Sequence, residues 1–440
     1  MDKHSITDVF TPTKSARISF VERDSINTKF VNALQTPGKQ LVVYGHSGSG
    51  KTTLIENKLC QLYENHITTR CVSGMTFDQI LRDAFDQLGH FYDSTVTNTH
   101  SSSVSGTIGA EYRSIKAQID VRSSTETTVE QTRLLPPQLT PQRLGQYIGA
   151  AKCCWVLDDF HKISDDHKKQ LSQTMKAFMD IANDWPTLKI IAIGAVDTAR
   201  QVVQYDAEMT NRVSEIEVPL MSTTELRSIL SKGEELLNIT ISPDVKREVL
   251  QLSNGLASVC HSLGLGACRA LNLLETADEK IEVRESELQR AITDYLEDSS
   301  DSLKGIFDKA LHRKKQGKFD NFRIVVEALS KIPQEGETQG EILQYIRTNH
   351  QGYPQSNLIY CLRELQTERR GELVRLDRNS GRYSFTNPFY RAYALALFQK
   401  SKTRPRVFVS HIDLIGTNVV TKFAGEVLLE WLTKKKSSDE

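Results

Sequence analysis

Gly45, Gly50, Lys51 and Thr52 stand in the spacing G-x-x-x-x-G-K-T, directly after the apolar stretch Leu41 to Tyr44. Each residue type answers one demand of a bound phosphate chain. Glycines let backbone N–H groups curl around the oxygens with no Cβ in the way. The lysine brings a compact positive charge to the β and γ oxygens, and the threonine hydroxyl reaches Mg²⁺. His46, Ser47, Gly48, Ser49 and Thr53 complete the predicted cradle. A second constellation lies in CCWVLDDFHK, residues 153–162, where an apolar run feeds Asp158 and Asp159. A strand ending in a carboxylate gives that group a rigid base at the edge of a sheet. There Asp158 would hold Mg²⁺ through water and Asp159 would orient an attacking water. An aspartate at such a place also serves as an ordinary helix cap. Together the two stretches predict ATP and Mg²⁺ as ligands. They also predict slow turnover: Asp159 is one methylene shorter than glutamate, which leaves its carboxylate about 1–1.5 Å farther from the water. Positioning errors of ~1 Å cost on the order of a hundredfold in rate.

Those side chains need elements to hold them. Leu54, Leu59 and Leu62 recur at helical spacing after the loop, so the first constellation reads as strand, turn, helix. Strand 152–157, a helix from about Ser164 to Asn183, the strand LKIIAIG, a short helix and the strand SEIEVPL follow. Strands alternating with helices predict an α/β fold, a mainly parallel sheet covered on both faces. Residues 92–130 are rich in Ser and Thr, and the alternation in GTIGAEYRSIKAQIDV predicts an inserted β-hairpin. Thr140 with Pro141, Ser222 with Glu225, and Ser242 with Pro243 mark helix starts. After Leu220 the pattern is helical. From about Asp301, helices near 322–331, 338–349 and 354–369 precede two short strands joined by the turn Asp377 to Gly381, the outline of a winged helix. The expected organisation is therefore a core over 1–220, a helical lid over 221–300, a winged-helix domain over 301–400 and a tail over 401–440. With its boundary near 301, residues 1–295 would stand alone as a soluble, ATP-binding fragment.

The chain of 440 residues carries 39% hydrophobic and 25% charged residues, and its Lys+Arg and Asp+Glu counts are both 55. No global field draws it to nucleic acid or to an anionic membrane. Seven cysteines without a CxxC pair argue against a disulfide framework and for a reducing cytoplasm. No run of about 18 apolar residues appears, so no membrane partner is expected.

These residues resemble the AAA+ ATPases. GHSGSGKTT looks like their Walker A motif, CCWVLDDFHK like their Walker B, and KIIAIGAVD lies where their sensor-1 strand does. NRVSEIEVPLMSTTELRSIL resembles the stretch that holds an arginine finger and enters the lid, which makes Arg212 the candidate finger; an ordinary surface arginine is the other reading. FVERD, residues 20–24, resembles the segment that packs near adenine in initiator-type members, which implies a nucleotide contact for Arg23. The winged-helix outline matches the origin-initiator branch, and the aspartate pair is also common in the STAND signalling ATPases. The chain departs from that pattern where Gly194 ends the sensor-1 strand, with Asp197 nearby, and where the lid helix after SNGLASVCHSLG shows no arginine at the place where sensor 2 would sit.

Membership of that class implies a homo-oligomer. Three functions fit: an ATP-driven switch that binds nucleotide, hydrolyses it slowly and recruits a protein partner, such as an antiviral effector; a DNA-binding initiator or loader; or a scaffold that binds nucleotide only for stability. The run HRKKQGK (312–318) and Arg375, Arg378 and Arg382 supply local cations for DNA; a solvated face or a protein-docking module would carry them equally. In the tail, Val420, Phe423, Val427 and Trp431 recur at helical spacing and predict a short docking helix.

Overall fold

The computed structural model describes residues 3–63, 65–98, 140–195, 211–299, 301–313, 318–378 and 380–403. The predicted hairpin between 106 and 121, the short helix after the strand LKIIAIG, Asp197, residues 314–317 of the basic run and the tail helix lie outside them.

Five strands form one parallel sheet in the order β2-β3-β4-β1-β5. They are β1 (Gln40–Tyr44), β2 (His66–Arg70), β3 (Cys154–Asp158), β4 (Ile190–Gly194) and β5 (Val213–Glu217). Alternation along β3 assigns its side chains to two cores. Trp155 and Leu157 face the helices Phe77–Asn98, Pro141–Ala150 and Asp165–Asp180. Cys154 and Val156 face the helices Asp24–Gln35 and Lys51–Leu62. The chain therefore has the P-loop NTPase architecture expected of an α/β core. The parallel register pairs Tyr44 with Gly194 and Leu157 with Ala192, so β1 and β3 flank β4 and end on the same edge. The spacing of strands then sets their ends roughly 10 Å apart, and that edge holds the site.

Edge strand β2 has only Ile67 and Thr69 as buried positions. Its sequence HITTR is too short and polar to announce a strand. It is fixed by Trp155, whose indole N–H donates to the Thr69 hydroxyl at 3.0 Å.

Just before the central strand β4, at the end of the sheet away from the phosphate loop, Lys189 is fully buried, and its ammonium donates to the Thr36 carbonyl. Burial pushes its pKa down from 10.5 to about 8. A depressed lysine means that the folded state holds fewer protons than the unfolded state between pH 8 and 10.5. The stability contribution of this group therefore rises with pH through that window. Replacing Lys189 with Met is expected to raise stability near pH 7 by about 1–3 kcal/mol and to remove the rise. Thermal melts of both proteins from pH 7 to 10 check it; a variant that melts lower across the range would show that the amine holds the strand in place.

The lid begins at the capping box predicted at Ser222 and Glu225, which starts helix Thr223–Leu237. Helices Pro243–Ser253, Ala257–Ala270 and Glu285–Asp298 follow, with a small parallel pair, β6 (Ile239–Ile241) and β7 (Ile281–Val283). An N-terminal strap not foreseen from sequence is bound to the lid. Phe10 is fully buried between Gly233 and Gly264, where an added Cβ would come within 2.4 and 2.5 Å of its ring. His4 is tied to Thr276 twice: its carbonyl accepts from the Thr276 N–H, and its N–H donates to the Thr276 hydroxyl.

The third unit contains helices Asn321–Lys331, Gln339–Asn349 and Gln355–Glu364 and a three-stranded antiparallel sheet. Its strands, β8 (Glu337–Thr338), β9 (Val374–Asp377) and β10 (Arg382–Phe385), lie in the order β8-β10-β9. Two further helices enclose it, Asp301–Leu311 and Pro388–Thr403. The lid and this unit share one apolar core: Leu250, Leu256, Ile292 and Leu296 belong to the same buried cluster as Phe307, Leu329, Leu395 and Phe398. Packing therefore runs unbroken across residue 300. Among the described residues, no helix is long and apolar enough to cross a membrane.

Candidate nucleotide site

The loop leaving β1 owes its shape to glycine. Gly45 has φ +152°, and a Cβ there would meet the Val218 carbonyl oxygen at 2.3 Å. Gly50, in the left-handed region at φ +92°, ends the loop and opens helix Lys51–Leu62, whose positive end faces the cleft. The Lys51 ammonium donates to the carbonyls of Gly45 (2.9 Å) and His46 (2.8 Å). Burial lowers its pKa, while Asp159 and Asp158 pull the other way.

A cleft of about 410 Å³ opens over this loop. Ser47 to Thr53, Asp158 and Asp159 line it, together with strap residues from Thr11 to Val21 and the lid residues Ala257, Ser258 and His261. The sequence-predicted cradle is thus brought together with both aspartates, except that Gly45 and His46 are not among the lining residues. Burial, then the positive Arg375, lowers the His46 pKa.

The fit to a nucleotide rests on unfilled bonding capacity. The hydroxyl oxygens of Ser49, Thr11 and Ser258 are buried in the loop, the strap and the lid, line the cleft and have no hydrogen-bond partner among the described residues. Buried polar atoms are rarely left so without a ligand or water to satisfy them. Asp158 ends β3 with one carboxylate oxygen accepting from the Asp159 N–H at 3.0 Å. Burial and the adjacent Asp159 raise its pKa, a cost that a bound cation would relieve. Among the described residues no group of three or more His, Cys, Asp or Glu could hold a metal alone. Mg²⁺ would then rely on Asp158, the Thr52 hydroxyl and nucleotide oxygens, in keeping with an ion that retains water and is shared with phosphates.

Other predicted residues have different surroundings. Arg23 is buried and spent on protein groups: its Nε pairs with Glu225 at 2.9 Å, and its other nitrogens donate to the carbonyls of Pro219 (3.1 Å), Ser49 and Leu220 (both 3.4 Å). It lines the cleft, but as the tie between loop and lid. Arg212 precedes β5 at the edge of the sheet opposite the loop and forms an exposed pair with Asp180 at 3.1 Å. Its own cleft is a strand's length away. Of the lid residues that line the cleft, none described is cationic. His261 is neutral: burial pushes its pKa down to about 4, and its Nδ1 accepts from the Thr11 N–H at 3.2 Å.

Sequence reasoning missed the strap, Ser258 and the third unit's contact with the loop. Gly48 is packed so tightly that an added Cβ would lie 2.8 Å from Ser258 Oγ, 2.8 Å from the Phe389 ring and 3.3 Å from Leu256. Phe389 opens the helix that the lid holds through Asn254, whose side-chain amide donates to the Pro388 carbonyl at 3.0 Å. The pair Asn387–Pro388 carried a usable start signal, and the Phe389 N–H does bond the Asn387 side chain at 2.9 Å.

Solved structures of similar outline include a Walker-type ATPase of Pyrococcus abyssi, at 14% identity over 87% of this chain and 97% of that one, with a TM-score of 0.48. Cdc6p of Pyrobaculum aerophilum is 14% identical over 90% and 98% of the two chains, TM-score 0.40. The Aeropyrum pernix ORC1 protein, solved in complex with DNA, is 13% identical over 91% and 98%, TM-score 0.39. No curated protein matches the sequence. The stretch that carries the phosphate loop and both aspartates, residues 35–201, matches the family model of the AAA domain.

Proposed function

We propose that this protein is an ATP-dependent AAA+ switch that binds nucleotide firmly, hydrolyses it slowly and uses the bound state to control a protein partner, such as an effector of antiviral defence. The observation that carries the reading is the packing of Gly48. Loop, lid and third unit meet at one glycine, so a ligand that shifts the loop is felt by all three. A ligand biases such an equilibrium only by its differential affinity for the two states. Hydroxyls waiting in strap, loop and lid are groups that could supply that difference.

Lys51 would serve the phosphates, Thr52 and Asp158 the cation, and Asp159 the attacking water. Asp158→Asn is expected to weaken Mg²⁺-dependent ATP binding. Asp159→Asn should keep ATP bound while turnover falls on the order of a hundredfold. Calorimetry paired with phosphate release tests both; Asp159→Asn hydrolysing at the parental rate sinks the assignment. Because Arg212 lies at the far edge, any part it takes in hydrolysis is in the site of a neighbouring copy and would require a homo-oligomer.

A DNA-binding loader is the second reading, and the wing arginines favour it. Two of them already bond within the unit: Arg375 to Ser384 at 3.3 Å and Arg382 to the Gly336 carbonyl at 3.3 Å. The helix Gln355–Glu364 instead exposes Ile359 and Tyr360, at 47% and 44%, a surface better suited to protein than to phosphate. Steeply salt-dependent duplex binding would decide for DNA; nucleotide-dependent assembly without DNA decides for the switch.

A further inference from the structure

Asp159 faces two ways. It lines the cleft, and its charge acts on Lys51 there. Its backbone is in the left-handed region, φ +56°, a conformation that aspartate tolerates better than most residues. That kink starts the short turn Phe160–Lys162, closed by the Lys162 N–H donating to the Asp159 carbonyl at 2.9 Å. The turn brings the Lys162 ammonium back onto the carboxylate of the residue that began it, at 2.5 Å from Oδ2.

We propose that Lys162 is a brake on hydrolysis, a positioning residue whose ammonium holds the Asp159 carboxylate in an outward contact that must open before that carboxylate can orient water in the cleft. The inference rests on the proposed ATPase reading. Its strength follows from exposure. Lys162 and Asp159 are 46% and 44% exposed, so solvent screens the pair and opening it costs little. The brake therefore slows turnover by about two- to fivefold and does not block it. A weak hold of this kind is one that a docking partner can lift.

The first arm of the test measures phosphate release and, separately, equilibrium binding of a fluorescent ATP analogue. Lys162→Met should raise kcat about two- to fivefold with analogue affinity unchanged. Lys162→Arg, which keeps the ion pair, should restore the slow rate. The second arm uses nucleotide-free protein and needs no turnover. Acetylation of Lys162 by a soluble anhydride, followed by mass spectrometry, should run faster in Asp159→Asn than in the parent, because the ammonium loses its partner. A parent that hydrolyses ATP while Lys162→Met is as slow or slower, with binding intact, overturns the brake and leaves the ATPase reading standing. Equal Lys162 labelling in parent and Asp159→Asn overturns the contact itself. A parent that neither binds the analogue nor releases phosphate overturns the ATPase reading instead.

Discussion

Lys51→Ala is expected to lower ATP affinity by roughly one to two orders of magnitude, the loss of a charge-assisted contact of about 1.5–3 kcal/mol, while the nucleotide-free protein melts within a few degrees of the parent. Both halves follow from what the ammonium does. It rests on two carbonyls of its own loop at 2.8 and 2.9 Å and is buried enough for its pKa to fall. Removing it gives up two modest hydrogen bonds but also a desolvated charge, so the fold loses little. The ligand loses the only cation among the described cleft residues that is both drawn inward and uncommitted to a carboxylate: Arg23 pairs with Glu225, and Lys14 is exposed. Calorimetric titration with Mg-ATP checks the affinity and a thermal melt checks the fold. Equal affinities would remove the loop as the binding site.

A chain ended at residue 295 is expected to aggregate or to behave as a loosely packed fragment, the reverse of what its sequence organisation suggests. Helix Pro388–Thr403 packs on the lid helices Glu285–Asp298 and Pro243–Ser253, and one apolar cluster spans both units. Each apolar side chain stripped of its cover costs about 1.5–3 kcal/mol, and four or five such losses are comparable with the whole stability of an ordinary domain, about 5–15 kcal/mol. Size-exclusion chromatography of the fragment, with its thermal melt, checks this. A monodisperse fragment with a sharp transition and parental ATP affinity would show that lid and third unit are separate after all.

The site was legible where chemistry demands particular residues at fixed spacing. The phosphate loop and Asp158 could be placed because glycine, lysine, threonine and a strand-end carboxylate have few substitutes in those roles. Helix starts at Thr140, Ser222 and Ser242 could be read because a side-chain cap is a local event, and each does accept from the backbone N–H three residues on. What stayed hidden is non-local. Strand β2 is held by a hydrogen bond from a tryptophan 86 residues away. Phe10, with Ile6 and Val9, reads as a short apolar patch of no evident purpose until Gly233 and Gly264 are seen to vacate space for its ring. Arg23 could be placed at the cleft from its segment, but nothing in FVERD announces Glu225 or the carbonyls that hold it. The left-handed backbone at Asp159 was also invisible in the letters, yet it gives a reason for aspartate at that position that reach alone did not supply.

The contact between Gly48 and Phe389 has a consequence for how the protein is made. The phosphate loop leaves the ribosome early, whereas the ring that closes over it is encoded near the end of the described chain. At roughly 5–20 residues per second, the loop waits on the order of tens of seconds for its cover. During that interval the sheet can fold and meet cellular ATP, but the lid and third unit cannot yet close against the glycine. A nascent or prematurely ended chain therefore lacks the contact that, on the proposed reading, would convert nucleotide binding into a change of state. On the proposed reading, the last of the described helices would act as a check of completeness: only a chain translated through Phe389 could couple the loop to the third unit.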